Sequence, residues 1–128
     1  MKTKIEKYIP DSISQIQAFV ASKNNKPIPK EFKGYLSSLG ASIKMSGLLP
    51  TLAVYYSEES KADRKEVIAW VYIIIKSLPE FNSCNNKPNL LKYAIDIQSD
   101  LNKTNQLIEE IMNLSVALKL SIRTFPLQ

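Results

Sequence analysis

The chain has 128 residues, and its 17 Lys and Arg against 12 Asp and Glu give a formal net charge of +5. This length predicts one domain, and only three glycines favour helices over a many-turned β-sandwich. A single cysteine excludes an internal disulfide, the longest apolar run is too short to cross a bilayer, and no secretory signal pattern is present, so we expect a soluble cytoplasmic protein.

The first part of the chain contains two predicted helices joined by a basic segment. Residues 1–10 are interpreted as an N-terminal extension that ends at Pro10. Apolar residues at helical spacing then predict a helix over residues 12–22. The linker 23–29 carries lysines and prolines, and the next helix is predicted over residues 30–46.

Gly47 marks a predicted junction between two helices. A left-handed residue there would close the last turn of the preceding helix. Pro50 falls in the first turn of a short apolar helix over residues 48–56, where its missing N–H costs nothing. Gly34 and Gly40, in the preceding helix, are interpreted as positions that allow close helix packing.

The rest of the chain continues the helical pattern. Residues 62–78 are rich in β-branched side chains, which suits a buried strand, but their length and charged N-terminal flank favour a helix. A helix that is apolar nearly all round must be central or lie at a subunit interface. A loop over 79–89 and helices over 90–97 and 100–124 follow. The sequence therefore predicts an all-α fold, a compact single-domain bundle of about five to six helices.

Positive charge is unevenly distributed along the chain. Residues 1–50 hold eight lysines and three acids, whereas residues 51–128 hold nine bases and nine acids. At about 100° per residue, Lys30, Lys33 and Lys44 fall within one arc of about 60° beside the apolar arc of their helix. The sequence therefore predicts a lysine stripe with small residues on or near the same side, namely Ser37, Gly40 and Ala41. Such a stripe suits a polyanion, although a merely solvated surface is the alternative interpretation.

Other residues are candidates for extending this stripe. Lys23 and Lys26 of the linker would lengthen a track of phosphate contacts. Lys119 and Arg123, one turn apart on the last helix, either contact phosphates or reach out from its apolar face. Four tyrosines either stack on bases or fill the core and its rim, the commoner role of helical tyrosines: Tyr35, Tyr55, Tyr56 and Tyr72.

The sequence contains no recognisable catalytic constellation. Histidine is absent, so the commonest general base and metal ligand is missing. Cys84 has no second thiol or histidine to form a zinc or nucleophile site, and no glycine-rich phosphate loop is present. The adjacent pairs Glu58/Glu59 and Glu109/Glu110 diverge by about 100° on a helix. We therefore expect a protein that is not an enzyme and that needs no metal or cofactor.

The segment YLSSLGASIKMSGLLPTLAVY, residues 35–55, resembles the signature region of the small subunit of the Cmr complex. Cmr is the type III-B CRISPR effector, which is RNA-guided and cleaves RNA. In that family an apolar helix leads through an Asn-Gly-Leu turn into a short Leu-Ala-aromatic helix. The corresponding residues here are Ile43, Ser46, Gly47, Leu48, Leu52 and Ala53. Ser46 replaces the usual Asn, and Val54 replaces the usual Phe.

The C-terminal segment ALKLSIRTF, residues 117–125, resembles the aromatic and basic run that often ends the family's last helix. Lys119, Arg123 and Phe125 carry this likeness, but the usual Trp and the paired Lys-Arg are missing. The likeness is therefore good over some 20 residues and diffuse over the rest of the chain.

The resemblance implies a specific role. Family members are helical bundles without catalytic activity, and several copies stack along the effector as a minor filament. They contact neighbouring subunits and flank the duplex of guide RNA and target RNA in antiviral defence. Together with this role, the shared helical arc and the uneven charge lead to the hypothesis that Lys30, Lys33 and Lys44 face RNA, with Lys119 and Arg123 as weaker candidates. The apolar helix 62–78 and exposed aromatic residues would contact neighbouring copies.

Three other functions stay open at this point. The chain could be the small subunit of the related type III-A complex, or a helical adaptor that binds only protein. A helix-turn-helix DNA-binding regulator is disfavoured because the helix after Gly47 has no Arg, Asn or Gln to read bases.

Overall fold

The computed structural model describes residues 2–128, apart from the side chains of residues 2–3 and 82–85. The all-α fold is confirmed, because the described part contains no β-strand. One β-bridge joins Ile28 to Leu127. The seven α-helices are α1 (Lys2–Glu6), α2 (Ile9–Ser22), α3 (Glu31–Ser46), α4 (Leu48–Tyr56), α5 (Ala62–Lys76), α6 (Leu90–Asp96) and α7 (Leu101–Ile122).

The N-terminal residues belong to the packed bundle. Helix α2 begins three residues before the predicted Ser12, and Pro10 lies in its first turn, where proline is well tolerated. Tyr8 is buried and donates a hydrogen bond to the Glu110 carboxylate of α7. Lys4 Nζ lies 2.6 Å from Glu109 Oε1. From Lys4 onward, the predicted N-terminal extension is therefore held against α7.

The junction at Gly47 has the positive φ that the prediction required. Gly47 has φ +97°, and its N–H donates to the carbonyl of Ile43 at 2.9 Å, which closes the last turn of α3. Pro50 lies in the first turn of α4, as predicted. Ser42 Oγ and Thr51 Oγ1 lie 2.9 Å apart across the junction, so a side-chain contact joins the two helices directly.

Helix α5 is the central element of the bundle. It contacts α2, α3, α4 and α7, and seven of its fifteen residues are buried. Trp70 packs against Phe19 and Phe32, with ring centroids 5.6 Å and 5.3 Å away. The choice of helix over strand is confirmed, and of the two predicted locations for this apolar helix the central one is observed.

The exposed aromatic residues that were expected to contact neighbouring copies are not found among the described side chains, while contact of α5 with neighbouring copies stays a prediction. On α5 only Ile73 among the large apolar residues is exposed, and every aromatic side chain that the structure describes is buried or half-buried. The large apolar side chains that do reach the surface in the described part are aliphatic: Met45, Val54, Ile73, Ile95, Leu101 and Leu120.

The segment predicted as a loop over 79–89 contains a 3₁₀ stretch, Pro79–Asn86, with a kink at Phe81. Phe81 is buried and packs edge-on against Tyr93, with ring centroids 6.1 Å apart. An apolar anchor therefore fixes this connection to α6, which the polar composition of the segment concealed.

Candidate nucleic-acid interface

The candidate site is formed where α3 and α7 pack side by side. The Ile28 N–H donates to the Pro126 carbonyl at 2.9 Å, and the Gln128 N–H donates to the Ile28 carbonyl at 3.0 Å. These bonds bring the start of α3 to the end of α7, so the two helices run antiparallel. Gly40 lies beside Met112, where an added Cβ would be 3.5 Å from Met112 Sδ, an ordinary contact distance.

Gly40 therefore lies at a helix–helix contact, as predicted. The corresponding prediction for Gly34 is wrong, because a Cβ added there would meet nothing within 4 Å.

A groove of about 250 Å³ follows this helix pair, and we call it the α3–α7 groove. Four of the nine residues that line it are small, namely Ser37, Gly40, Ala41 and Ser115. Lys44 of α3 and Lys119 of α7 lie in its walls, so each helix contributes one cation. The full lining is Leu36, Ser37, Gly40, Ala41, Lys44, Met112, Ser115, Val116 and Lys119.

The other three predicted site residues lie near one end of this groove. Lys33 is four residues before Ser37 and therefore shares its face of α3. Lys30 is the N-cap of α3, and Arg123 is the C-cap of α7. Because the helices are antiparallel, the start of α3 and the end of α7 bring Lys30, Lys33 and Arg123 to the same end.

The charge of this surface is not compensated by carboxylates. The side chains that the structure describes form three ion pairs, Lys4–Glu109, Lys7–Glu110 and Lys87–Asp96. None of the three involves Lys30, Lys33, Lys44, Lys119 or Arg123. Lys30, Lys44 and Arg123 are exposed, and Lys33 and Lys119 are half-buried, so their cationic groups are available to an anion in solvent.

The tyrosines have structural roles. Tyr55 is buried, and its hydroxyl donates to the Tyr35 carbonyl at 2.7 Å. Tyr72 is buried and donates to the Lys87 carbonyl. The guanidinium of Arg64 lies 5.2 Å from the centre of the Tyr35 ring, and the hydroxyl of Tyr56 accepts from the Leu90 N–H at 3.2 Å. Of the two roles considered for these tyrosines, the structural one is therefore observed for the buried Tyr55 and Tyr72.

Lys23 and Lys26 do not line the α3–α7 groove. They border a second depression of about 280 Å³ between the α2–α3 linker and the start of α5. Phe19, Pro27, Pro29 and Asp63 complete most of its wall. Sequence reasoning missed this depression because its residues come from three separate segments.

The groove wall on α7 was also missed. Met112 and Val116 precede Lys119 and Arg123 at spacings of four, three and four residues, so all four lie on one face. That spacing was a signal available in the sequence.

The described part of the chain contains no helix long and apolar enough to span a membrane. Within the same part, no group of three or more His, Cys, Asp or Glu side chains is arranged to hold a metal ion.

The fold and the groove together define a class of protein, a small all-α bundle with an uncompensated basic groove between two helices. The family model of the CRISPR-associated protein Cas_Cmr5 matches residues 7–123, nearly the whole chain. The chain therefore belongs to this family, and it is a small subunit of a type III CRISPR complex. Comparisons with curated proteins and with solved structures gave no match.

Proposed function

We propose that this chain is the non-catalytic small subunit of a type III-B (Cmr) effector, acting in the cytoplasm in antiviral defence. Copies of it form the minor filament beside the other Cmr subunits and help to hold guide RNA and target RNA. The observation that carries the RNA role is the α3–α7 groove, which has a cation on each wall and no carboxylate paired with either one.

The chemistry of this groove suits a phosphate backbone. Lysine is a point charge with three rotatable donors, and it binds phosphate without reading bases. The four small lining residues let a sugar–phosphate strand approach the helix backbones closely. Sequence recognition is then left to pairing between guide and target, as in other RNA-guided systems.

The structure argues against two of the three alternative functions and leaves the third open. A DNA-reading role for α4 is disfavoured because Leu48, Thr51, Leu52 and Tyr55 are buried and the exposed face offers no base-reading side chain. A purely protein-binding adaptor is disfavoured because it would give no role to Lys44 and Lys119, which form no ion pair among the described side chains. The type III-A complex remains the second candidate, and the proteins that accompany the chain in its host distinguish it.

The experiment is a comparison of two triple variants. Replacing Lys30, Lys33 and Lys44 by Glu changes the net charge from +5 to −1. Replacing Lys61, Lys92 and Lys103 by Glu makes the same change away from the groove, so it controls for charge alone. We expect only the first variant to lose RNA binding, measured by filter binding at low salt. If both variants bind RNA like the unaltered protein, the lysine stripe is only solvated surface.

A further inference from the structure

The second depression combines an apolar wall of rings, positive charge and a carboxylate, whereas the lining of the α3–α7 groove contains neither a ring nor a carboxylate. Its apolar wall is formed by the rings of Phe19, Pro27 and Pro29. Lys23 and Lys26 supply positive charge, and Asp63 supplies an acceptor. Its volume of about 280 Å³ is close to the lower limit for small-molecule sites, about 300 Å³, so it has room for one small ring system and its substituents.

The wall of this depression is held in place by its backbone. Asn24 and Asn25 both have φ +59°, a conformation that asparagine tolerates better than most residues. The Asn25 N–H donates to the Val20 carbonyl at 2.9 Å, which ties the linker to the end of α2. Ile28, between the two prolines, is fixed by its hydrogen bonds to residues 126 and 128. The depression therefore exists before any ligand arrives, which reduces the entropy cost of binding.

The charged groups are near each other without being paired. Among the described side chains, neither Lys26 nor Asp63 takes part in an ion pair. Lys23 Nζ lies 5.8 Å from the centre of the Phe19 ring, so this ammonium is already held at the apolar wall. A simple polyanion would be repelled by Asp63. A ligand with a flat ring, one anionic group and a hydrogen-bond donor would use all three features.

We propose that this depression binds a nucleoside 5′-phosphate, either free or as an unpaired residue of single-stranded RNA. The base lies against Pro27 and Pro29 at the edge of Phe19. The phosphate accepts hydrogen bonds from Lys23 and Lys26, and Asp63 accepts one from a base amino group or a ribose hydroxyl. This site is separate from the α3–α7 groove and does not depend on the function proposed for it.

The test is a titration of the isotopically labelled chain with AMP, followed through backbone amide chemical shifts. We expect saturable shifts at residues 23–28 and at Asp63. The variant Lys23→Glu with Lys26→Glu should bind AMP about tenfold more weakly or worse, because two charge-assisted contacts are lost. Lys92→Glu with Lys103→Glu makes the same charge change on α6 and at the start of α7, and this variant should bind AMP like the unaltered chain.

Two further ligands decide what the depression recognises. Ribose 5-phosphate lacks the base, so it should bind at least about tenfold more weakly than AMP if the rings contribute. Equal binding would show a plain anion site and would overturn the proposal, as would an absence of shifts around residues 23–28. A single-stranded tetranucleotide that binds these same residues more tightly than AMP identifies RNA as the source of the nucleotide, and weaker binding identifies a free nucleotide.

AMP binding at the second depression can be tested separately from RNA binding at the α3–α7 groove. The variant with Lys30, Lys33 and Lys44 replaced by Glu keeps every wall residue of the second depression. It should therefore bind AMP like the unaltered chain, even where it has lost RNA binding at the groove.

Discussion

At the scale of single residues, the backbone of Gly47 decides where α3 ends. Its φ of +97° is unfavourable for any residue with a Cβ, although an added Cβ would meet nothing closer than Pro50 Cδ at 3.7 Å. Gly47→Ala should therefore lower the free energy of unfolding by about 1–2 kcal/mol through backbone strain alone. Urea denaturation measures this change.

Gly34→Ala is the matched control for that substitution. Gly34 lies inside α3 with open space around it, so alanine there should raise the free energy of unfolding by about 0.5–1 kcal/mol. If both substitutions change the free energy of unfolding in the same direction, the positive φ of Gly47 does not determine where α3 ends.

Tyr56 makes stability depend on pH in the alkaline range. Burial raises its pKa to about 12, and the hydrogen bond from the Leu90 N–H opposes that shift only partly. Because the folded protein disfavours the charged phenolate, the stabilisation is complete below pH 10 and is lost as the pH rises from 10 to 12. Tyr8 and Tyr55, whose pKa values burial also raises, add to the same decline.

Tyr56→Phe isolates this contribution. The variant should be less stable at neutral pH by about 1 kcal/mol, since the Leu90 N–H loses its acceptor. Its stability should also fall less steeply between pH 10 and pH 12, as followed by urea denaturation at each pH. A decline as steep as that of the unaltered protein would contradict the assignment to Tyr56.

At the scale of whole elements, α5 provides a test in two adjacent residues. Ile74 is 2% exposed and Ile73 is 41% exposed, on the same helix and with the same side chain. Ile74→Ala should cost about 2–5 kcal/mol in the free energy of unfolding, because it leaves a cavity in the core. Ile73→Ala should cost under about 1 kcal/mol, and comparable losses in thermal or urea unfolding would show that α5 is not packed as described.

The elements also show how far the sequence could predict the fold. Helical spacing and the glycine and proline signals located α3, α4 and the Gly47 junction, because those signals are local. The sequence predicts a loop at the 3₁₀ segment because its anchor, Phe81, is one apolar residue in a polar stretch. The role of Tyr8 was missed because its partner Glu110 is 102 residues away, and no local pattern records such a contact.

The candidate site was predictable to a similar extent. Helical periodicity placed Lys30, Lys33 and Lys44 on one side of α3, and it placed Lys119 and Arg123 together on α7. Periodicity within one helix does not show which helices are neighbours. The groove that contains both Lys44 and Lys119 emerged only from the antiparallel packing of α3 and α7.

At the scale of the whole molecule, the proposed RNA binding depends on the positive charge at the α3–α7 groove. Neutral replacement of Lys44 and Lys119 by Gln should weaken binding of single-stranded RNA. It should also reduce the slope of log affinity against log salt by about 1.4, which is about 0.7 for each lost phosphate contact. Lys61→Gln with Lys92→Gln removes the same charge and should leave the slope unchanged. Equal slopes in the two variants would assign the effect to net charge instead of to the groove.

The most direct measurement is affinity purification of the tagged chain from its native host, with identification of the accompanying proteins and sequencing of any RNA. We expect recovery of the large subunits of a type III-B effector together with short guide RNAs. Type III-A subunits in their place, or DNA with transcription proteins, would contradict the proposed function.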